Sequence, residues 1–286
     1  MRKNFCYIFL LLFVLITGFL LHHSKIYSTK PIVLDQVYVI NMDNSPHRYE
    51  ALKPVLDTEN IKHIRFSAVN GYEVKIEDMH GKIFKGIDIK LGKLKFRLGE
   101  EYKIYCPNIT LRYKMKYHQS QLGFSAGEIG VYCSHIEIMK DIIDRNYDAA
   151  MILEDDVVIH NGFGEKLSNT LKEYIPENAD ILWFYGSGER VLRYKKILSG
   201  APCGGAHAYI LTKNGATHFI NELLNPGITI DGEMYQASMN GNTKSFICEG
   251  FNIEQKAPNN DDSSDIKKMG RMDYQSHLSI KHYGKH

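Results

Sequence analysis

The chain has no Cys-x-x-Cys pair, no Walker-type glycine loop, no internal repeat and no long low-complexity stretch. The first absence removes the usual zinc signature, and the second removes the phosphate cradle of P-loop enzymes. Without a repeat, the chain has no reason to be a solenoid or a propeller. A charge excess is missing too: 35 Lys and Arg stand against 33 Asp and Glu, dispersed along the chain, for a net charge of +2. That balance excludes nucleic acid as an expected partner.

What is present begins with length, since 286 residues suffice for one large domain or two small ones. The N-terminus stands apart. Met1-Arg2-Lys3-Asn4 precedes Phe5 to Leu21, a run without charge and rich in Leu, Ile, Phe and Val. Its seventeen residues reach the lower edge of what spans a hydrocarbon core of ~30 Å. His22-His23-Ser24-Lys25 offers no small-x-small cleavage pattern, which favours a retained signal anchor over a cleaved signal peptide. Arg2 and Lys3 keep the tip cytoplasmic, so the expectation is a single-pass type II membrane protein: residues 1–4 the tip, 5–21 the anchor, 22–35 a stem. The compartment is then the Golgi or ER lumen in a eukaryote, or the far side of a bacterial inner membrane.

Four cysteines lie beyond the anchor, at 106, 133, 203 and 248. One or two disulfides are possible in an oxidising compartment, and sequence does not choose among the pairings. Cys133 falls on an apolar helical face and is expected as a buried free thiol. Asn108-Ile109-Thr110 is a glycosylation sequon.

From residue 36 the chain alternates strands and helices, which implies an α/β domain with a mostly parallel sheet over 36–286. Val37 to Asn41 reads as a strand, and Ser45-Pro46 opens a helix to about Asp57 with Arg48 in its first turn. Ile61 to Val69 supplies a second strand and completes a βαβ unit. Residues 72–118 break the rhythm; their Lys, Gly and aromatic content, with partial alternation over Lys82 to Lys90, predicts an irregular or β-rich insert over the sheet edge, a solvated surface. Ser125-Ala126-Gly127-Glu128 is a capping box, and Ile129, Tyr132, Cys133, Ile136, Met139 and Ile143 recur behind it at helical spacing. Glu128 and His135 share a face offset from that stripe. Further elements are expected at Gly162 to Tyr174, Asp180 to Phe184, Cys203 to Thr212, Lys213 to Leu224 and Ser245 to Cys248, with Asp231-Gly232-Glu233 between the last two and a basic tail containing His282.

The chemistry concentrates at Ala149 to Ile159, where five apolar residues run into Glu154-Asp155-Asp156 and three more apolar residues follow. A strand without polar alternation is covered on both faces. Three carboxylates at its end need a counter-charge, and hard divalent cations prefer such oxygen ligands. The carboxyl ends of strands in open α/β sheets are also where ligands bind. A solvated loop or helix cap is the competing reading of the triplet. On an extended chain Glu154 and Asp156 point one way and Asp155 the other.

Several motifs in fixed order give that triplet a context. Val37-Tyr38-Val39-Ile40-Asn41-Met42-Asp43 with Pro46 and Arg48, then Gly127-Glu128-Ile129-Gly130 with Ser134-His135, then Leu153-Glu154-Asp155-Asp156, and more weakly Gly204 to Tyr209 with Gly215-Ala216 and Asp231, resemble glycosyltransferase family 25. That family comprises the lipooligosaccharide galactosyltransferases and their procollagen galactosyltransferase relatives, and the resemblance covers residues 37 to 235. It implies a GT-A fold, a Rossmann-like α/β glycosyltransferase arrangement. It also implies a UDP-hexose donor, galactose first among hexoses, Mn²⁺ (or Mg²⁺) held by the acidic motif, and inverting transfer to a glycan, lipooligosaccharide or glycoprotein acceptor.

On that resemblance Asp156 is the first metal ligand, with Glu154 also toward the metal, Asp155 and Glu154 toward the donor, and His282 closing the metal site from the tail. Asn41, Asp43 and Arg48 would meet uridine and phosphates, while Glu128 and His135 would face the donor. Glu128 is a capping residue first, and His135 equally a hydrogen-bonded structural histidine. Asp231 is the candidate general base, with Glu233 in reserve. The alternative from another class is a catalytically silent carbohydrate-binding or adhesion ectodomain of the same fold. A metal-dependent phosphotransferase or nuclease ranks below both, for want of a glycine loop and a basic surface.

Overall fold

In the computed structural model, the apolar run before the three carboxylates is a central strand of an eight-stranded sheet. The structure describes residues 30–114, 124–173, 175–185, 193–194, 197–202, 205–241, 243–251 and 253–256. The expected anchor, residues 22–29 of the expected stem, and His282 lie outside them. No helix among the described residues is long and apolar enough to cross a membrane.

In chain order the elements are β1 (Gln36–Asn41), α1 (Pro46–Thr58), β2 (Ile64–Ser67), β3 (Lys75–Asp78), β4 (Ile83–Lys85), α2 (Gly86–Lys90), β5 (Glu101–Tyr105) and β6 (Thr110–Lys114). Then come α3 (Ala126–Asp144), β7 (Ala149–Glu154), β8 (Val157–Val158), α4 (Phe163–Glu173), β9 (Ile181–Trp183), β10 (Arg193–Tyr194) and β11 (Ile197–Ser199). The described chain closes with β12 (Ala208–Thr212), α5 (Lys213–Leu223), α6 (Ile230–Met239), β13 (Ser245–Cys248) and β14 (Glu254–Gln255).

The main sheet runs β10-β11-β13-β9-β12-β7-β1-β2. β1 is parallel to both β2 and β7, and β13 to β9. β12 lies antiparallel between β7 and β9, and β11 is antiparallel to β13 and β10. The sheet is therefore mixed but mostly of one direction, with β12 and β11 reversed.

Both faces are covered, as the unbroken apolar run of β7 requires. Ala150 and Ile152 join Tyr38, Tyr209, Trp183 and the apolar side of α3 in one core. Ala149, Met151 and Leu153 join Leu52 and Leu56 of α1 and Phe163, Leu167 and Leu171 of α4 in the other. Ser45 stands at the N-cap of α1 with Pro46 following, but its hydroxyl meets the Asn44 carbonyl oxygen at 3.3 Å and caps no helix N–H. At α3 the capping box closes both ways: the Ser125 hydroxyl accepts from the Glu128 N–H at 3.2 Å, and the Glu128 carboxylate accepts from the Ser125 N–H at 2.8 Å.

The insert takes the β-rich of its two expected forms, but it is not the solvated surface expected. Beta strands β4-β3-β5-β6 make a second, antiparallel sheet, and the alternation expected through Lys90 stops at Lys85, where α2 begins. This sheet is not a solvated excursion, because its inner residues Ile76, Tyr102, Ile104, Leu111 and Tyr113 are part of the α3 core. Polar contacts fasten it further: Glu137 of α3 accepts from both the backbone and the side-chain nitrogen of Asn108 at 2.7 Å. Cys133 is likewise corrected: it is bonded to Cys106, so the thiol expected on the apolar face of α3 instead staples the second sheet to that helix. Cys248 is the buried free cysteine among the described residues.

Close backbone approach seats the loop after β2 on α3. A Cβ on Gly130 would lie 2.5 Å from the Val69 carbonyl oxygen, and one on Gly71 would lie 1.7 Å from that of Ala126. Only glycine permits those contacts. Loop and helix thereby form one wall of a cleft.

The disulfide closes a sequence separation of 27 residues. Replacing Cys106 and Cys133 together with Ala should lower stability by about 3 kcal/mol in urea unfolding, the scale expected for a loop of that length. An unchanged midpoint would show that packing alone holds the second sheet.

Candidate active site

The carboxyl ends of β1, β2 and β7 and the start of β12 meet at one edge of the sheet, beside a cleft of about 200 Å³. Its lining includes Asn41, Arg48, Tyr72, His135 and all three carboxylates of the triplet. The reversed direction of β12 matters here. Because Ala208 pairs with Leu153, the segment Gly205-Ala206-His207 lies beside the end of β7, and the His207 carbonyl accepts the Glu154 N–H at 2.9 Å.

Asp155 is 6% exposed and lies in the turn just past the end of β7. Burial of a lone carboxylate is costly, and here two partners offset it. Arg48 on the first turn of α1 approaches at 2.5 Å, and the Asn41 amide donates at 2.6 Å. Asn41 is oriented in turn by Arg65, whose Nε donates to its carbonyl oxygen at 2.7 Å. Arg65 also pairs with Asp43 at 2.6 Å. Ser67 and Arg65 hydrogen-bond the Asp43 carboxyl and hold it below the usual carboxylate range.

Glu154 and Asp156 share a different partner. The Gln255 amide on β14 donates to Glu154 at 2.9 Å and reaches Asp156 at 3.5 Å, bridging the pair. Glu154 also lies 3.6 Å from His135 Nε2. Burial pushes its carboxyl up, but His135 and His207 outweigh that and leave it below its ordinary value. Asp156 is less well served. Burial and the Glu154 charge push it up to about 7, although Arg48 at 3.2 Å pulls the other way. A carboxylate so raised is short of positive charge.

The other expected residues lie around this core. Glu128 is occupied by the capping box, with Gly127 rather than Glu128 lining the cleft. Asp231, in the first turn of α6, accepts from the Gly205 N–H at 2.9 Å. Its charge raises Tyr185 and opposes ionisation of Glu154, so it faces the same edge. Glu233 instead accepts from the Gly227 and Ile228 N–H groups at 2.6 and 3.1 Å, which closes the start of its own helix. Asp43 lies outside the cleft lining, and His282 lies outside the described residues.

Sequence reasoning missed three participants. Arg65, Tyr209 and Gln255 reach the site from β2, β12 and β14. Arg65 sits in an ordinary strand pattern, Tyr209 closes the Gly204 to Tyr209 motif without a role of its own, and Gln255 lies in a polar stretch without a motif.

A divalent cation fits this arrangement in part. Among the described residues no group of three or more His, Cys, Asp or Glu could hold a metal alone. Glu154 and Asp156 offer two carboxylates around the point where the Gln255 amide now supplies partial positive charge. One or two carboxylates completed by substrate phosphates and water is the usual requirement of Mg²⁺ and similar hard ions.

The model of "Glycosyltransferase family 25 (LPS biosynthesis protein)" matches residues 34–196, more than half of the chain. The chain belongs to glycosyltransferase family 25. A Drosophila melanogaster "Glycosyltransferase 25 family member" is 26% identical over 64% of this chain and 30% of its own length. Procollagen galactosyltransferase 2 of Mus musculus is 25% identical over 52% of this chain and 20% of its own. Procollagen galactosyltransferase 1-B of Xenopus laevis is 28% identical over 49% and 19%. The chain thus spans less than a third of the length of these curated relatives. Residues 34–196 include every cleft-lining residue, whereas Asp231, Gln255 and Tyr209 lie beyond the family match.

The raised Asp156 carboxyl carries a consequence for stability. Its folded value of about 7 lies above the ordinary 3.8, so the folded chain holds that proton more tightly than the unfolded chain does. The associated stability is complete below the ordinary carboxylate range and lost as pH rises through 7. In metal-free buffer at pH 8, Asp156→Asn should therefore stabilise the protein by on the order of 4 kcal/mol. Thermal unfolding should show the gap shrinking as pH falls from 8 to 5. Equal midpoints at pH 8 would mean that Asp156 is already compensated.

Proposed function

We propose that this chain is a divalent-metal-dependent glycosyltransferase that moves a hexose, galactose in the first instance, from a UDP-sugar to a hydroxyl of a glycan or glycoconjugate acceptor with inversion. One observation carries this reading: in a chain of glycosyltransferase family 25, an under-compensated carboxylate, Asp156, lines a cleft at the carboxyl edge of the sheet. The mixed sheet with helices on both faces agrees with a GT-A arrangement, and the names of the procollagen galactosyltransferase relatives support galactose.

Glu154 and Asp156 would hold Mn²⁺ or Mg²⁺, which when bound offsets the charge developing on the leaving diphosphate. Arg48, fixed by Asp155, supplies a guanidinium at the same wall of the cleft, suited to phosphate oxygens. Asp231 is the general base. Its carboxylate takes the proton from the acceptor hydroxyl as the acceptor oxygen bonds to the anomeric carbon; the bond from that carbon to the diphosphate oxygen breaks, and its electron pair leaves with UDP. A single displacement of this kind inverts the anomeric centre and needs one carboxylate beside the acceptor.

The compartment follows the same reading. The Cys106–Cys133 disulfide supports an oxidising environment for the domain. That agrees with a type II anchor at Phe5 to Leu21 holding the domain beyond the membrane.

A screen of UDP-hexoses, read as UDP release with and without Mn²⁺, tests the proposal. The expected result is metal-dependent turnover, fastest with UDP-galactose; no release and no UDP binding with any metal would favour a silent binding module. Asp156→Asn should lower turnover by more than ~10³-fold. Asp231→Asn should lower kcat by ~10²-fold or more while leaving UDP affinity, measured by calorimetry, within about twofold. Full activity in the Asp231 variant would remove it as the base.

A further inference from the structure

Among the described residues, His135 and His207 each bury a ring nitrogen without a hydrogen-bond partner, and of the two His135 lines the cleft. It is 0% exposed, and its nitrogen without a partner is Nε2. The other ring nitrogen, Nδ1, lies 2.8 Å from the hydroxyl of Tyr209. Tyr209 is also fully buried, and Nδ1 is the hydrogen-bond partner of its hydroxyl among the described residues. The strand register places it across from Ile152, on the sheet face that α3 covers.

Two neutral arrangements of this pair are possible, and the surroundings separate them. If Nδ1 carried the proton, the phenol would accept it and leave its own O–H without an acceptor in an apolar core. The Nε2 lone pair would then face the carboxylate oxygen of Glu154 at 3.6 Å, a repulsive contact. If the phenol donates instead, its proton is satisfied and Nε2 carries an N–H toward Glu154. Burial and the Glu154 charge hold the phenol proton on its oxygen, so Tyr209 remains a donor.

We infer that Tyr209 is a positioning residue that locks His135 in the tautomer protonated at Nε2, so that the floor of the cleft presents an N–H donor to Glu154. The N–H faces one carboxylate oxygen across 3.6 Å as an electrostatic contact and leaves the other, now bonded to Gln255, for the incoming ligand. The tautomer stands on geometry alone, while its effect on turnover rests on the proposed function. Partners one step removed from a ligand carboxylate alter metal affinity or activity by ~10–100-fold.

Long-range proton–nitrogen spectra of the histidine rings test the lock on the full chain without donor or metal. In the wild type, His135 should show a protonated Nε2 and a bare Nδ1. In Tyr209→Phe, which keeps the ring volume, that pattern should give way to a mixture. A wild-type ring protonated at Nδ1 or at both nitrogens, or an unchanged pattern in the variant, overturns the inference. A double-mutant cycle gives the functional readout. Tyr209→Phe should raise the Mn²⁺ concentration for half-maximal UDP release by ~10-fold in the wild type and not at all in His135→Gln, whose amide supplies an N–H without a tautomer. Equal effects in both backgrounds would mean that Tyr209 acts through packing. If no UDP-hexose turns over, the proposed function fails while the spectra still decide the tautomer.

Discussion

Burial of Asp155 is the constraint around which the rest of the site is arranged. A carboxylate at 6% exposure needs partners whose own positions are secured, because a mobile cation would not repay its desolvation. Arg48 and Asn41 meet that need from two different elements, the first turn of α1 and the last residue of β1. Securing Asn41 draws in Arg65, and securing Arg65 draws in Asp43. From Asp155 the links run the other way through Arg48 to Asp156, then Gln255, Glu154, His135 and Tyr209. The polar contacts thus form one connected chain across the carboxyl edge of the sheet.

Charge is unevenly satisfied along this chain, and the unevenness is where the chemistry lies. Asp155 is well compensated and serves to hold Arg48. Glu154 gains from the two histidines beside it. Asp156 has a shared guanidinium, its own backbone N–H and a distant amide among the described residues, and burial with the Glu154 charge still pushes it up to about 7. Stability would favour an apolar or neutral residue there, so keeping the carboxylate costs the folded state something. On the proposed function, a cation bound with the donor diphosphate would remove that cost and tie ligand binding to relief of an electrostatic deficit.

The second sheet has a structural task that its composition conceals. Its outward residues are charged and exposed, while its inward residues complete the core on the α3 side. The disulfide and the Glu137 clamp fix it to the helix that carries His135. Rigidity of α3 is thus shared between the main sheet and this smaller one.

The sequence by itself determined the elements whose signals are local. The apolar run of β7 and the Ser125 capping box are legible because each depends on neighbours within a turn or a strand, whereas the alternation expected through Asp156 stops with β7 at Glu154. The acidic triplet was recognisable as a site for the same reason. Local signals also misled: the helical stripe through Cys133 marks a buried face but cannot show that Cys106 comes to meet it, and the polar outer residues of 72–114 mask an inner apolar row. Only the tertiary structure decided which partners each carboxylate receives. The reversal of β12 brings Tyr209 under His135 and Gly205 beside Asp231, while β14 carries Gln255 back between Glu154 and Asp156. These contacts join residues 74 to 101 positions apart, or 26 for Gly205 and Asp231. Strand order and direction set them, and no periodicity in the chain encodes either.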